Sequence, residues 1–382
     1  MLGKILPDAC DRSGHSLAFL LYIDPYKLFP PQKLPPENER KIVHLPAGGE
    51  SISIENALNS RCTSDYDDDP KYFHWGMFDH NKKLSLEQIR KIVDLVNIPR
   101  FTSKDLEIRI KDNLLTFVVD PTGSTIQREW TMIECGMQQQ SIGLICAALG
   151  VGMVFKSFGK VGKSISDVEY ATIRIKLDPM KPSYNGSYWS DSVPQGKRPW
   201  LKGNLPDPIR NGNTPLVNAF KRLRKIDSTG RRATFEDAGQ LLWAARGRTP
   251  HYYISKPWGM TIPTNFGRQD ITDIYLLSGN ELFIYSNWKE NRADHSVLKF
   301  KEIEAKTKEQ MLLNNKSYSR AIILAVNEVE SYAFWEIGYQ LLNLLLQAYS
   351  LNINYSAILL DDEQRAFFET CGIMHPAALI SF

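Results

Sequence analysis

The chain has 382 residues, 43% apolar and 23% charged, which places it among globular proteins with room for two domains or one large one. Its 46 Lys and Arg stand against 43 Asp and Glu, too even a balance to require a nucleic acid, although a local basic patch can still hold a phosphate. No apolar run reaches the roughly 18 residues of a membrane span; the nearest, "IGLICAALGVGMVF", stops at Lys156.

The N-terminus places Pro7, Asp8, Asp11 and Arg12 ahead of "LAFLLYI", the wrong order for a signal peptide. The five cysteines, Cys10, Cys62, Cys135, Cys146 and Cys371, are scattered without a CxxC, which fits a reducing compartment. The expectation is a soluble cytoplasmic protein with no membrane and no nucleic acid partner.

Residues 1–50 carry the cluster "PPQKLPPENER", which cannot be helix interior and reads as an N-terminal arm. Residues 51–180 form a first unit. "SISIENALNSRC" starts a short helix capped by Ser53, and "LSLEQIRKIVDLV" is a helix capped by Ser85 with Leu86, Ile89, Ile92, Val93 and Val96 at helical spacing. "LEIRIKDNLLTFVVD" alternates and is β-branched, so a strand is expected. An apolar helix follows in "ECGMQQQSIGLICAALGVG", residues 134–152, then a loop, then a strand in "VEYATIRIKLDP", residues 168–179. Residues 181–215 are rich in Pro, Gly, Asn and Ser without a period, and a connection of that length is expected to serve a purpose.

Residues 216–382 repeat the order. "PLVNAFKRLRK" echoes "SIENALNSRC", and "ATFEDAGQLLWAARG", capped by Thr234, echoes the second helix. Strands in "DITDIYLLSGNELFIYS" and "RAIILAVNE" precede a second apolar helix, "EIGYQLLNLLLQAYSLN", and then "AILLDD". Glu134 aligns with Glu336, Gly136 with Gly338, Gln138 with Gln340, Leu144 with Leu346 and Leu149 with Leu351, all at one offset. Two α+β copies in one chain are expected to pack their apolar helices together about a pseudo-twofold, as a symmetric dimer would.

"FEDAGQLLWAARGRTP", then "PWGMTIPT", then "LFIYSNW" and the Glu-x-Gly helix, in that order, resemble the nitroreductase superfamily, and within it the branch of SagB-type dehydrogenases and azoline oxidases. The resemblance covers about residues 40–380 and is strongest over 233–365. It implies an FMN-dependent α+β fold, normally a homodimer with the flavin at the interface; here both halves lie in one chain, as an intramolecular pseudodimer.

The family's phosphate-gripping Arg-Arg-Ser-x-Arg corresponds to "RCTSD". Arg61 keeps the first Arg, Thr63 takes the Ser place and Ser64 follows, while Cys62 and Asp65 replace the other arginines. One guanidinium with hydroxyls is a thinner phosphate site than usual. The second half offers Arg222, Arg224, Lys225, Arg231 and Arg232 without that pattern, and a solvated basic face explains them equally well. The family's ring-contacting loop corresponds to Pro257, Trp258, Gly259 and Met260, with Pro263 at matching spacing. Lys156, Ser157 and Gly159 follow the first apolar helix, where relatives contact the ring through backbone.

The implied activity is hydride exchange through FMN with a small-molecule, peptide or natural-product substrate, with a nicotinamide donor or oxygen as acceptor. The alternative is a degenerate scaffold that has lost the flavin and binds a partner or peptide through residues 181–215. An oxygen-dependent fragmentation of the flavin itself, as in the relatives that make the lower ligand of vitamin B12, has less behind it.

Other motifs carry less. "SFGKVGKS" has Ser157 where a phosphate-binding loop needs its first glycine, and the sequence pattern predicts a helix before it rather than a strand. The acidic run "DYDDDP" lacks the spacing of a calcium loop, and the histidines are dispersed, so no metal is expected. Glu134 and Glu336, on apolar helices, are expected to serve an interface salt bridge or a helix cap, with a role near the flavin as the alternative.

Overall fold

The computed structural model describes residues 52–60, 63–64, 84–96, 98–102, 107–111, 114–119, 123–149, 151–157, 171–179, 203–223, 226–249, 259–263, 270–289, 292–313, 315 and 317–382. The N-terminal arm, the acidic run and most of the connection lie outside the described residues.

The fold is mixed α and β. Helix α1 (Ile54–Ser60) begins where the Ser53 hydroxyl accepts from the Asn56 amide at 3.1 Å. Strand β1 (Thr63–Ser64) follows, then α2 (Leu86–Leu95), whose Ser85 and Gln88 close a reciprocal capping box. Ile89 and Ile92 are buried as their spacing requires, whereas Leu86 is 45% exposed because the first turn projects beyond the core.

The single strand expected over 106–120 is two, β2 (Glu107–Lys111) and β3 (Leu114–Val119), paired antiparallel from Lys111 with Leu114 outward. Asp112 and Asn113 between them are turn-forming residues, outweighed in the sequence by the alternation on either side. Helix α3 (Thr125–Leu149) then gives way to β4 (Val151–Ser157), where a loop was expected. Gly150 and Gly152 disguise this strand; its pairing with β1 on one side and β5 (Ala171–Pro179) on the other makes it one. The first sheet runs β1-β4-β5-β3-β2.

The second sheet is larger. After α4 (Leu216–Arg222) and β6 (Asp227–Ser228), helix α5 (Phe235–Arg246) starts at Thr234, whose side chain closes a capping box with Asp237. A two-stranded ribbon, β7 (Arg248–Thr249) with β8 (Gly259–Met260), follows. Then come β9 (Thr272–Ser278), β10 (Glu281–Lys289), β11 (Arg292–Glu302), α6 (Ala305–Met311), β12 (Arg320–Val326), α7 (Ser331–Ser350), β13 (Tyr355–Leu359), α8 (Asp362–Thr370) and β14 (Pro376–Ser381). The order is β6-β13-β14-β12-β9-β10-β11. Gly279, at φ +64°, supplies the left-handed residue of the tight turn from β9 to β10.

Helices α3 and α7 pack together at the centre, and two glycines make this possible. A Cβ on Gly136 would meet the Trp335 carbonyl and sit 2.8 Å from its carbon. One on Gly338 would meet the Ile133 carbonyl and sit 2.7 Å from the Met137 nitrogen. Trp335 stands to Gly338 as Ile133 stands to Gly136, so the contact is reciprocal. The neighbouring apolar side chains, among them Met137, Leu341, Leu344 and Leu345, are wholly buried.

The end of the connection, residues 203–215, is a strap running from the β11 edge past α5 to α1. The Leu205 amide donates to the His295 carbonyl (3.2 Å), and the Asn204 side chain exchanges hydrogen bonds with the Val297 backbone (2.7 and 2.8 Å), covering part of the outer edge of β11. Gln240 exchanges two with the Ile209 backbone (2.8 and 3.0 Å). The strap then reaches α1, where the Gly212 amide donates to Ser53 (3.3 Å) and Ile54 to the Thr214 carbonyl (3.1 Å).

Candidate functional site

A collection of buried polar groups lies where α5 ends, β7 and β8 pair, and the β10–β11 hairpin runs beside them. The hairpin register carries a bulge there. Ser286 faces Ser296 and Trp288 faces Ala293, so Asp294 and His295 together oppose Asn287 alone. A bulge bends the strand and re-aims its side chains. Asn287 is a hub: its Nδ2 donates to the Arg246 carbonyl (2.6 Å) and to Met260 Sδ (3.6 Å), and its carbonyl accepts from Arg248 Nε (3.1 Å).

Arg248 is buried with its guanidinium 4.6 Å over the Trp288 ring, a cation–π geometry. Burial, and then the neighbouring Arg246, push its pKa down to about 10. Arg246 is also buried; it donates to the Thr272 carbonyl and, at 3.1 Å, to the Thr272 hydroxyl.

Across the hairpin, the Tyr285 hydroxyl is 2.9 Å from His295 Nδ1. Burial, reinforced by Arg210 and opposed by Asp294, pushes His295 down to about 4, while burial raises Tyr285. At neutral pH the imidazole is therefore neutral and the phenol protonated. The simplest arrangement has the hydroxyl donating to Nδ1 and the imidazole proton on Nε2. That Nε2 is buried and has no hydrogen-bond partner among the described residues.

A second polar seam joins this corner to the two central helices. The Thr261 carbonyl accepts from Gln140 Nε2 of α3 (3.0 Å) and from Asn343 Nδ2 of α7 (3.3 Å). Gln140 also donates to Asn343 Oδ1 (2.9 Å), and Asn343 to the Ala244 carbonyl (2.9 Å). Gln340 reaches the Thr272 hydroxyl at 2.7 Å. Residues from both apolar helices thus converge on the loop that follows α5.

Of the residues singled out from the sequence, Met260 belongs to this corner: it is buried, pairs with Arg248 and accepts from Asn287. Gly259 pairs with Thr249 beside it. Thr63 and Ser64 lie on β1, in parallel register with Met153 and Val154, so Lys156 and Ser157 follow on the adjacent strand and the four share one strand pair. Arg61, Gly159, Pro257 and Trp258 lie outside the described residues.

Among the second-half cations, Arg222, Arg231 and Arg232 are exposed. Arg231 grips Asp237 with two bonds (2.7 and 2.6 Å), so its charge serves the α5 cap. Arg224 and Lys225 are outside the described residues.

Among the described residues Glu134 makes neither a salt bridge nor a helix cap. Its Oε1 accepts from the Phe101 and Thr102 amides (2.5 and 2.6 Å) and Oε2 from the Thr102 hydroxyl (2.5 Å), tying the segment after α2 to the central helix. Glu336 is fully buried.

No family model matches the chain, and no curated protein does. Among the solved structures that resemble it loosely are three candidate nitroreductases. A candidate nitroreductase from Ralstonia eutropha shares 17% identity over 46% of this chain and 86% of its own, with a TM-score of 0.35. One from Anabaena variabilis shares 12% over 70% and 68%, with a TM-score of 0.40. One from Thermotoga maritima shares 12% over 87% and 94%, with a TM-score of 0.36. These values do not assign the chain to a family. Among the described residues no helix is long and apolar enough to cross a membrane.

Sequence reasoning missed Tyr285, Asn287, Asp294 and His295. A bulge leaves no trace in hydropathy, and only the strand register brings Asn287 opposite the Asp294–His295 pair. Arg246 and Arg248 were visible in "AARGRTP", but nothing local showed that both are buried.

Proposed function

We propose that the chain is an FMN-dependent oxidoreductase of nitroreductase type, with two related halves forming an intramolecular pseudodimer and one flavin in the cleft between them. The observation that carries this reading is the reciprocal crossing at Gly136 and Gly338, together with strand orders that match over five strands: β1-β4-β5-β3-β2 against β6-β13-β14-β12-β9. Equivalent residues meet across a central crossing, as at a twofold interface. The match has one exception, since β1 runs parallel to β4 and β6 antiparallel to β13.

In this reading Arg61, Thr63 and Ser64 would hold the phosphate, and the backbone of Lys156, Ser157 and Gly159 together with Pro257, Trp258, Gly259 and Met260 would contact the ring. The donor set offers a partial fit: the Oε1 of Gln140, next to Thr261, is buried and accepts no hydrogen bond among the described residues, an acceptor suited to a flavin imide N–H. The Thr261 backbone is already committed, its amide to the Gly247 carbonyl at 3.0 Å and its carbonyl to Gln140 and Asn343.

The chemistry FMN supplies when bound is hydride exchange with a donor and then with a second substrate. This chain's own residues would shield the cleft from water through the apolar α3–α7 packing, and Arg246 and Arg248 would favour negative charge in their neighbourhood. A small-molecule, peptide or natural-product substrate, a nicotinamide donor or oxygen as acceptor, and the SagB-type branch all belong to the proposal.

Arg61→Ala tests it. Flavin retained through purification should fall at least tenfold relative to the parent chain, since one guanidinium carries most of the phosphate's charge-assisted bonding. Unchanged retention would remove the phosphate from Arg61. The second reading, a scaffold without flavin, is favoured by the commitment of Thr261 and the burial of Met260 and Ile262; it requires that neither chain take up FMN.

A further inference from the structure

The strap and the Tyr285–His295 pair meet at one backbone group. The His295 carbonyl accepts from Leu205, and Gly203 lies so close that a Cβ there would collide with that carbonyl and sit 2.9 Å from Ser296 Oγ. Ser296 Oγ donates to Asp294 Oδ1 (2.9 Å) and stands 3.4 Å from the Asn204 amide. Asp294 and His295 are 3% and 1% exposed, and each keeps a buried atom, Oδ2 and Nε2, with no hydrogen-bond partner among the described residues. The strap therefore rests beside a pair of buried residues that each keep one atom without a partner among the described residues.

We propose that residues 203–210 form a pH-sensitive latch, held shut while His295 is neutral and released when His295 takes up a second proton. The charged and titratable groups facing the imidazole are Arg210 with Asp207 on the strap, Asp294 on its own strand, Tyr285 on β10, and Arg246 and Arg248 behind Tyr285. Protonation places a cation beside Arg210 in a buried corner that already holds two further guanidinium groups, with Asp294 as the nearest opposing charge. It also turns Nδ1 from acceptor to donor against the Tyr285 oxygen, while Nε2–H stays buried without a described acceptor. Hydrating the imidazole relieves all three costs, and the shortest route lifts the strap off the His295 carbonyl.

The direction of the pH effect follows from the shift. His295 is pushed down from 6.5 to about 4. The stability that the neutral imidazole lends to the closed latch is complete above pH 6.5 and is lost as the pH falls from 6.5 towards 4.

Backbone hydrogen exchange of the full chain, corrected for intrinsic rates, tests the latch. Between pH 7.5 and pH 5, protection at Leu205 should fall about thirtyfold, the ratio expected for a group titrating at 6.5 when open and 4 when closed. Protection in the middle of α7 should not change. His295→Gln, which cannot titrate, should abolish the pH dependence. Constant protection at Leu205, an equal fall in α7, or the same dependence in His295→Gln would each overturn the proposal. If the variant does not fold, an NMR titration of the unaltered chain decides: an imidazole at position 295 titrating near 6.5 with the strap in place contradicts the latch.

Discussion

The two sheets follow one order over five strands and differ in what the second adds, the β10–β11 hairpin. The shared strands lie against the central helices, where α3 and α7 meet with glycine at the closest approach and aliphatic side chains around it. The added hairpin carries Tyr285, Asn287, Asp294 and His295, the ion-capable and hydrogen-bonding groups of the candidate corner, and takes the strap along its edge. The common part is built for packing and tolerates little change in shape. The added part holds polar groups at an energetic cost, which a fold meets where chemistry or regulation requires it.

The sharpest way to break that contrast is at the crossing. Gly338→Ala puts a methyl group into backbone rather than into a movable side chain, so the helices must separate; a loss of about 3 kcal/mol or more is expected in denaturant unfolding. Gly136→Ala should cost a similar amount, and the double variant less than the sum, because the two share one contact. A loss under about 0.5 kcal/mol for either would mean the helices do not meet there.

Next in size is the seam between the helices and the corner. Asn343→Leu removes the donor to Ala244 and Thr261 and the acceptor for Gln140, and should cost about 2 to 3 kcal/mol. Asn343→Leu should also weaken FMN retention if the proposed site is right, whereas Gly338→Ala lowers stability first.

Smaller again is the α5 cap. Asp237 works against burial, but the Arg231 side chain and the Thr234 backbone hold its carboxyl below its usual range. Its contribution is present above the unfolded carboxyl pKa of about 4 and is lost as the pH falls below it. Asp237→Asn should cost about 1 kcal/mol at pH 7, with Arg231 too exposed to add much, and should flatten the unfolding free energy below pH 4. The smallest effect belongs to Gly279→Asn. No atom lies within 4 Å of the added Cβ and Asn tolerates the left-handed region, so the change should stay within about 0.5 kcal/mol.

Much of the fold was legible because its signals are local. Ser53, Ser85 and Thr234 cap helices as their spacing with the following residues requires, and the pairing of Gly136 with Gly338 in the sequence became a contact in space. Strand β4 was not legible, because its glycines break the pattern and only its two neighbours make it a strand. The β2–β3 turn was missed because alternation continued across it.

The candidate site was less legible still. Met260 could be placed from a resemblance, but the partnership of Asn287 with Arg248, and of Tyr285 with His295, depends on a bulge that redirects two side chains. Glu134 was recognised as a buried carboxylate, yet its partners are backbone amides of Phe101 and Thr102, which no side-chain pattern announces.

The central claim is one flavin site in a chain of two related halves, and equilibrium titration of flavin-stripped protein with FMN, followed by flavin fluorescence, tests it most directly. The account predicts saturation at one FMN per chain, with binding weakened in Arg61→Ala. Saturation at two would contradict the proposed asymmetry between the halves, and no binding at all would contradict the enzyme reading itself.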